Sequence, residues 1–328
     1  MKKRLLIIGS GGREHAIAWK CASAETVEKV YVAPGNAGTS QEDKVENVAI
    51  DVLNIDALID FAKQQNIDLT IIGPEAPLAA GIVDRFNENQ LKCFGPSQAA
   101  AQLETSKAFC KAFLAEEKIP TAEFSAFTDK QAALNYAKKQ PLPMVIKASG
   151  LAAGKGVIIA ETQQQAEEAI TAMLDDQRFG DAGHEIIIEA FLTGEELSFI
   201  VMVDGQHILP LASSQDHKRR DNGDKGPNTG GMGAYSPAPL LTPELRQHIM
   251  QDIIEPTVKA LARRGTPYQG FLYAGLMISA TGQAKVLEYN CRLGDPETQP
   301  LLIRLQSDLV DLCEAAVDGQ LNQKTAQW

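Results

Sequence analysis

The chain has 328 residues, which is too long for one ordinary hydrophobic core and predicts two or three domains. Its formal net charge of −11 argues against a general nucleic-acid or membrane-surface binder, because either would need a basic face. The five cysteines have no metal-type spacing, which indicates reduced thiols. No stretch is apolar enough to cross a bilayer or to serve as a signal peptide, so we expect a cytoplasmic protein.

The first hundred residues alternate between strand and helix patterns, which predicts a parallel sheet with ligands at the carboxyl ends of its strands. The predicted strands are Arg4–Ile8, Lys29–Val32, Asn47–Ile50, Asp68–Ile72 and Leu91–Phe94. The predicted helices between them are Arg13–Cys21, Asp56–Gln65 and Leu78–Asn89.

A glycine-rich turn, Gly9-Ser-Gly-Gly-Arg-Glu-His15, follows the first predicted strand. Its backbone N–H groups at a helix N-terminus would bind a phosphate. Glu14 stands where a dinucleotide-binding turn requires its third glycine, so a phosphorylated ligand other than a dinucleotide is preferred. A dehydrogenase stays the weaker alternative, and a histidine such as His15 is more often structural than catalytic.

Lys107 and Lys111 lie one turn apart in the predicted helix Ser106–Lys118. On a surface helix this spacing predicts no more than a solvated basic face.

A second unit opens at Thr121 and contains a loop suited to a polyphosphate. Its predicted strands and helices are Glu123–Phe127, Asp129–Lys139, Met144–Ala148, Val157–Ile159, Thr162–Asp175 and Glu185–Phe191. Lys147 ends one strand, and the loop Gly150–Gly156 then offers backbone N–H groups and Lys155. A glycine-rich hairpin is the plainer interpretation, but the two lysines that bracket the loop favour phosphate binding.

Two segments downstream carry acids and glycines. Leu192–Ser198 is interpreted as a turn whose acids either bind ribose hydroxyls or are simply exposed. The long segment 221–233 is predicted to be irregular, as lids, binding loops and disordered segments are. Its glycines, together with Asn228, Lys218 and Asp216, favour an anion-binding loop over a linker.

The last third predicts a long helix, Pro243–Arg263, a hairpin and two closing helices. In the hairpin's second strand, Glu288 and Asn290 share a face, and a carboxylate beside an amide oxygen suits Mg²⁺. Arg292 adds a planar donor fork for phosphate or carboxylate. Glu288 and Asn290 alone are better explained as a polar strand face, but Arg292, Asp295 and Glu297 crowd the same strand end.

These motifs together resemble a known family. Arg292-Leu-Gly-Asp-Pro-Glu-Thr-Gln-Pro300 resembles the signature of the phosphoribosylamine–glycine ligases, the glycinamide ribonucleotide synthetases of purine synthesis. The likeness covers the whole chain in order. It includes Gly9–His15, Ala33–Gly38, Ile72–Glu75, Lys147–Gly156, Ser214–Arg219 and Gly226–Pro237.

The resemblance implies a mixed fold of α/β and α+β units: a Rossmann-like N-terminal domain followed by an ATP-grasp fold of two α+β subdomains. We therefore expect an N-terminal domain at 1–105 and a lid subdomain at 121–193. The central subdomain with the metal site would comprise 106–120 and 194–328. Members of the family carry a further C-terminal domain, so we expect this chain to be a truncated form.

The resemblance also assigns site residues. It implies that ATP contacts Lys107, Lys147, Gly150, Gly154, Lys155, Gly156, Glu189, Leu192 and Glu196. Glu288 and Asn290 would bind Mg²⁺ or Mn²⁺, Arg292 would orient an acyl phosphate, and Asp295 would hold an amine or orient Arg292. The other substrate contacts would be Gly11, Gly12, Arg13, Glu14, His15, Asn36, Gly38, Glu75, Asp216, Lys218, Asn228 and Gly230.

The implied reaction joins glycine to 5-phosphoribosylamine at the expense of ATP, through glycyl phosphate. We expect a monomer that acts on these small molecules and binds neither nucleic acid nor membrane. Two alternatives stay open: another ATP-grasp ligase with a different acid and amine, and a nucleotide-binding protein without catalysis.

Overall fold

The structure is a computed structural model that describes residues 2–151, 156–175, 183–223 and 225–328, and the side chains of all of these except 227 and 228. The strands are β1 (Lys3–Gly9), β2 (Val27–Pro34), β3 (Val45–Asn47), β4 (Leu69–Ile72), β5 (Cys93–Phe94), β6 (Phe124–Phe127), β7 (Met144–Ala148), β8 (Val157–Ala160), β9 (Ile186–Ala190), β10 (Glu195–Asp204), β11 (Ile208–Pro210), β12 (Gln215–Asp216), β13 (Arg219–Asp221), β14 (Lys225–Asn228), β15 (Ala234–Tyr235), β16 (Gln269–Ile278) and β17 (Ala284–Asn290).

The helices are α1 (Gly12–Ala22), α2 (Ile55–Gln65), α3 (Glu75–Ala79), α4 (Ile82–Glu88), α5 (Gln98–Thr105), α6 (Lys107–Glu116), α7 (Lys130–Ala137), α8 (Gln163–Leu174), α9 (Pro243–Ile249), α10 (Glu255–Arg263), α11 (Thr298–Arg304) and α12 (Leu309–Val317). A π-helical turn, Met250–Ile254, joins α9 to α10, so the predicted long helix is continuous.

The first unit is a five-stranded parallel sheet in the order β3-β2-β1-β4-β5. Its central strand β1 is buried on both faces, which explains the continuous apolar run Leu5–Ile8. The prediction of a strand at Asn47–Ile50 is largely wrong, because β3 ends at Asn47. A single helix at Leu78–Asn89 is also wrong, because Gly81 adopts a left-handed φ of 79° and separates α3 from α4.

Two antiparallel sheets form the rest of the fold, in the orders β6-β9-β7-β8 and β11-β10-β16-β17. We call them the lid sheet and the central sheet. A parallel sheet followed by two antiparallel sheets with helices agrees with the mixed α/β and α+β fold that the resemblance predicts. Two local predictions are wrong. Glu195 and Glu196 begin strand β10 rather than lying in a turn, and the segment 221–233, expected to be irregular, contains β14, which pairs with β13.

The buried hydrophobic clusters do not coincide with the three sheets. The lid sheet has a core of its own with α7 and α8, whereas residues of the first and central sheets share buried clusters. Helices α11 and α12 belong to a cluster that includes Leu5 of β1 and Ile17 of α1. The lid is thus the one of these three sheets with an independent core, and the domain boundaries given above stay predictions.

All five cysteines are free and buried. Burial raises the pKa of their thiols, that of Cys110 to about 11. Among the described residues no helix is long and apolar enough to span a bilayer.

Candidate active site

A cleft of about 400 Å³ lies between the lid sheet and the central sheet and reaches α3 of the first unit. Residues from both sheets face each other across it, including Lys147 and Glu189 on one side and Glu288 and Asn290 on the other. Its volume is that of a small-molecule site.

The lid side of the cleft contains a carboxylate shared by two lysines. Glu189 Oε1 pairs with Lys147 Nζ, and Glu189 Oε2 pairs with Lys111 Nζ. All three side chains are buried. Burial alone would raise the pKa of Glu189, but Lys147 and Lys111 outweigh it and lower the pKa. Lys111 is therefore not part of a solvated basic face, and the prediction for it is wrong.

Lys107, the first residue of α6, contacts the residues that follow lid-sheet strand β7. Its Nζ donates to the Gly150 carbonyl at 3.2 Å, and its backbone N–H donates to the Ser149 carbonyl at 2.8 Å. Burial lowers the pKa of Lys107 although Glu288 opposes this. Gly156 lines the cleft, whereas Gly154 and Lys155 lie outside the described residues.

Strand β17 carries the predicted metal ligands. A bulge at Leu287 interrupts its pairing with β16, and the Leu287 carbonyl accepts a hydrogen bond from Lys147 Nζ at 3.3 Å. Glu288 and Asn290 pair with Gly275 and Tyr273, and both line the cleft. Burial alone would raise the pKa of Glu288; Lys218, Lys147, Lys107 and Arg292 reverse this and lower it. Glu288 is thus an ionised carboxylate among cations.

Arg292 is fixed by carboxylates from the first part of the chain. Its Nη2 pairs with Glu104 Oε1 at 2.8 Å, and Glu104 Oε2 accepts the Cys291 N–H at 2.6 Å. Its Nε is buried without a hydrogen-bond partner among the described residues, and Glu75 Oε2 lies 3.6 Å away. Glu104, at the end of α5, is a site residue that the sequence analysis missed.

Asp295 connects the signature turn to the glycine turn of the first unit. Its Oδ2 accepts the backbone N–H of Arg13 at 3.4 Å, and its Oδ1 accepts from Gln299 Nε2 at 2.9 Å. A Cβ at Gly12 would lie 2.9 Å from Gln299 Nε2, so that glycine permits a close approach of α11.

Glu14 packs against this turn and accepts one of its backbone N–H groups. Its Oε2 accepts the Gly11 N–H at 2.7 Å, and its Oε1 pairs with Arg13 Nε at 2.6 Å. A Cβ at either Gly9 or Gly73 would collide with the Glu14 side chain. Arg13 and Glu14 are buried, so the structure gives them a supporting position within the first unit.

Three other first-unit candidates cluster together beside this turn. Asn36 Oδ1 accepts the Gly38 N–H at 2.7 Å, and its Nδ2 donates to the Ser10 carbonyl at 2.9 Å. His15 Nε2 lies 2.8 Å from Glu42 Oε1. The structure therefore brings His15, Asn36 and Gly38 to one edge of the first sheet, and their contact with a ribose phosphate stays a prediction.

Lys218 lies at the centre of the acidic part of the cleft. Its Nζ pairs with Glu196 Oε2 at 2.8 Å and lies 4.0 Å from Asp216 Oδ2. Burial raises the pKa of Asp216 to about 6 although Lys218 opposes this. Leu192 and Gly230 also line the cleft, and the side chain of Asn228 lies outside the described part.

A buried network next to Lys218 was not predicted from sequence. Tyr273 Oη donates to Glu297 Oε1 at 2.8 Å, and Ser198 Oγ lies 2.8 Å from the same hydroxyl. A Cβ at Gly294 would lie 2.3 Å from Glu297 Oε2, so the signature glycine makes room for this acid. The sequence analysis placed Glu297 at the crowded strand end. It did not identify Tyr273, because a tyrosine in a strand pattern is not distinguishable from the other core residues of that strand.

Two family models together match nearly the whole chain. Residues 3–104 match the N domain of phosphoribosylglycinamide synthetase, and residues 105–298 match its ATP-grasp (A) domain. The chain belongs to this family. Residues of its ATP-grasp domain form most of the cleft, and the family is one of ATP-dependent ligases.

Relatives agree with the family assignment. A phosphoribosylamine–glycine ligase from Allochromatium vinosum is 63% identical over 325 residues, covering 99% of this chain and 76% of that protein. A crystal structure of a phosphoribosylamine–glycine ligase from Thermotoga maritima superposes with a TM-score of 0.84 at 33% identity and covers 96% of this chain and 75% of that one. A biotin carboxylase from Campylobacter jejuni, at 20% identity, TM-score 0.74 and coverage of 97% of this chain and 71% of that one, shares the fold.

Proposed function

We propose that this chain joins glycine to 5-phosphoribosylamine, giving glycinamide ribonucleotide, ADP and phosphate, as a ligase of purine biosynthesis. The observation that carries the proposal is that one cleft is lined by Glu288 and by four cationic side chains, Lys107, Lys147, Lys218 and Arg292. The chemistry would be attack of the glycine carboxylate on the γ-phosphate of ATP, followed by attack of the amine on glycyl phosphate. Neither step needs a protein nucleophile.

The lysines are suited to the phosphates of ATP. Phosphoryl transfer depends on positioning and on neutralising charge, and Lys107 and Lys147 lie where α6 and the lid sheet meet the cleft. Glu189, Leu192 and Glu196 would contact the adenosine moiety, and the backbone of the loop from Gly150 to Gly156 would cover the phosphates. The Gly150 carbonyl that accepts from Lys107 links that loop to the lysine.

The residues present also fit a divalent metal ion. The described residues contain no group of three or more His, Cys, Asp or Glu able to hold a metal. A site formed by Glu288 and Asn290 alone suits Mg²⁺ or Mn²⁺, because Mg²⁺ retains waters and takes phosphate oxygens as its other ligands. When bound there, such an ion would neutralise charge on the β- and γ-phosphates.

Arg292 and Asp295 would serve the substrates. The Arg292 guanidinium, which lines the cleft and is fixed by Glu104, would donate to the glycine carboxylate or its acyl phosphate. Asp295, in contact with the glycine turn, would hold the amine where the ribose phosphate site of the first unit begins. Asp216 and Lys218 would orient the glycine.

We infer further that the protein works in the cytoplasm, as a monomer, on small molecules and not on nucleic acid. The acidic charge of the chain supports the last point. The two alternatives are a sibling ATP-grasp ligase for another acid and amine, and a nucleotide-binding protein without catalysis.

The test is ADP release by the purified chain with Mg-ATP and glycine, with and without 5-phosphoribosylamine. Release that requires both substrates, with glycinamide ribonucleotide as product, supports the proposal. Turnover with a different acid or amine alone supports the sibling ligase. ATP binding without any turnover supports the non-catalytic protein and contradicts the proposed reaction.

A further inference from the structure

Lys111 is a buried cation to which the reaction assigns no role. It lies on α6, 3% exposed, and its Nζ pairs with Glu189 Oε2 and donates to Thr121 Oγ1 at 2.7 Å. Its ammonium is thus engaged by protein groups on two sides. Although Lys111 also lines the cleft, these two contacts indicate a role that it exerts through its neighbours.

Those neighbours belong to both sheets. Glu189 is in β9 of the lid sheet. The Thr121 hydroxyl donates to the Val286 carbonyl of β17 at 2.7 Å, and the Val286 N–H donates to the Pro120 carbonyl at 2.8 Å. Val286 is two residues before Glu288, so a chain of three contacts runs from the carboxylate Glu189 to the strand that carries the candidate metal ligand.

The charge on Lys111 also limits how strongly Glu189 holds Lys147. Glu189 has one oxygen on each lysine. If Lys111 were neutral, the full charge of Glu189 would act on Lys147, and this would compete with a phosphate for the same ammonium. Stability does not by itself explain a buried lysine here, because apolar packing serves as well as a buried ion pair in many proteins.

We propose that Lys111 is a positioning residue for ATP. It fixes Glu189 on the lid sheet and, through Thr121, aligns that sheet with β17, and it leaves Lys147 free to bind phosphate. The inference rests on the proposed binding of ATP in this cleft. Helix α6 would then carry two lysines that serve ATP binding, Lys107 directly and Lys111 indirectly.

A double-mutant cycle read out as ATP affinity by calorimetry tests it. Lys111→Met should weaken ATP binding about tenfold, and Lys111→Met combined with Glu189→Gln should bind ATP no more weakly than Glu189→Gln alone. Lys111→Arg, which keeps the charge, should recover part of the affinity. Additive losses in the double variant would overturn the inference, because they would mean that Lys111 does not act through Glu189.

The matched control is Lys259→Met, which removes a lysine from an exposed pair with Glu255 on α10 and should leave ATP affinity unchanged. Thermal melts establish that each variant is folded. If Lys111→Met does not fold, Thr121→Val breaks the same chain of contacts without touching the ion pair, and wild-type ATP affinity in that variant overturns the inference. A wild-type chain that fails to bind ATP overturns the proposed function itself, whereas normal binding by both wild type and Lys111→Met overturns this inference alone.

Discussion

The two sides of the cleft carry opposite charge. The lysine wall consists of Lys107 and Lys147, and Glu189 pairs with Lys147 and with the buried Lys111. The acidic wall consists of Glu196, Asp216, Glu288, Asp295 and Glu297, with Lys218 among them. The contrast predicts where each part of the reaction occurs: anionic phosphates against the first wall, and cations, whether metal ion or ammonium group, against the second.

The acidic wall can be tested through Asp216, whose burial raises its pKa to about 6. The folded state then keeps a proton that the unfolded state has lost, so this group makes folding less favourable as the pH rises from about 4 to about 6. Asp216→Asn should be more stable than wild type by about 3 kcal/mol near pH 7, and nearly equal to it near pH 4. Urea unfolding of both proteins measures this. A stability difference that does not vary with pH would contradict the raised pKa.

Glu288→Ala removes the one carboxylate of the proposed metal site. We expect Mg²⁺-dependent ATP affinity to fall about 100-fold, because loss of a ligand or of its support has effects of that order at metal sites. Calorimetry with and without Mg²⁺ measures it, and Glu255→Ala, at an exposed ion pair, is the control. Unchanged Mg-ATP affinity in a folded variant would remove Glu288 from the metal site.

Lys107→Met tests whether the lysine wall binds the phosphates. If Lys107 meets phosphate, ATP should bind about tenfold more weakly while adenosine binds as before, since a hydrogen bond to a charged group contributes about 1.5–3 kcal/mol. Competition of both ligands against a fluorescent nucleotide measures the two affinities. Equal losses for ATP and adenosine would show that Lys107 matters for the shape of the cleft only.

The smallest effect is expected at Glu104, which touches neither wall and supports Arg292. Glu104→Gln keeps an acceptor for the Cys291 N–H but loses the charge opposite the guanidinium. We expect kcat to fall about fivefold, with little change in ATP affinity, because one charged hydrogen bond becomes a neutral one. Steady-state kinetics at varied glycine measures this, and an unchanged kcat would mean that Arg292 is positioned without Glu104.

The sequence predicted the sheets and helices well wherever the apolar period was long. Strand β7 was predicted to the residue, and the parallel direction of the strands in the first sheet was predicted from its alternating elements. Errors arose where one residue ends an element: Gly81 divides a predicted helix, and Glu195 begins a strand where two adjacent acids suggested a turn. The start of β10 at Glu195 depends on its tertiary pairing with β16, which no local pattern encodes.

The candidate site was predictable only in part, for a related reason. Glu288 and Asn290 lie in one strand and Arg292 follows two residues after its end, so their proximity is visible in the sequence. Lys111, Glu104 and Tyr273 come from separate helices and strands and become part of the site only when the chain folds. The sequence alone does not show whether a charged residue on a helix faces water or a partner of opposite charge in another element.

The burial of every thiol has a practical consequence. Thiolates, not thiols, react with maleimides, and burial raises the pKa of all five cysteines. A cysteine placed on the outer face of the lid, at exposed Glu168 for example, would be the fast-reacting position under native conditions. The native cysteines therefore need not be replaced before a single fluorophore is attached. The emission of that fluorophore would report in real time how the lid responds to each ligand.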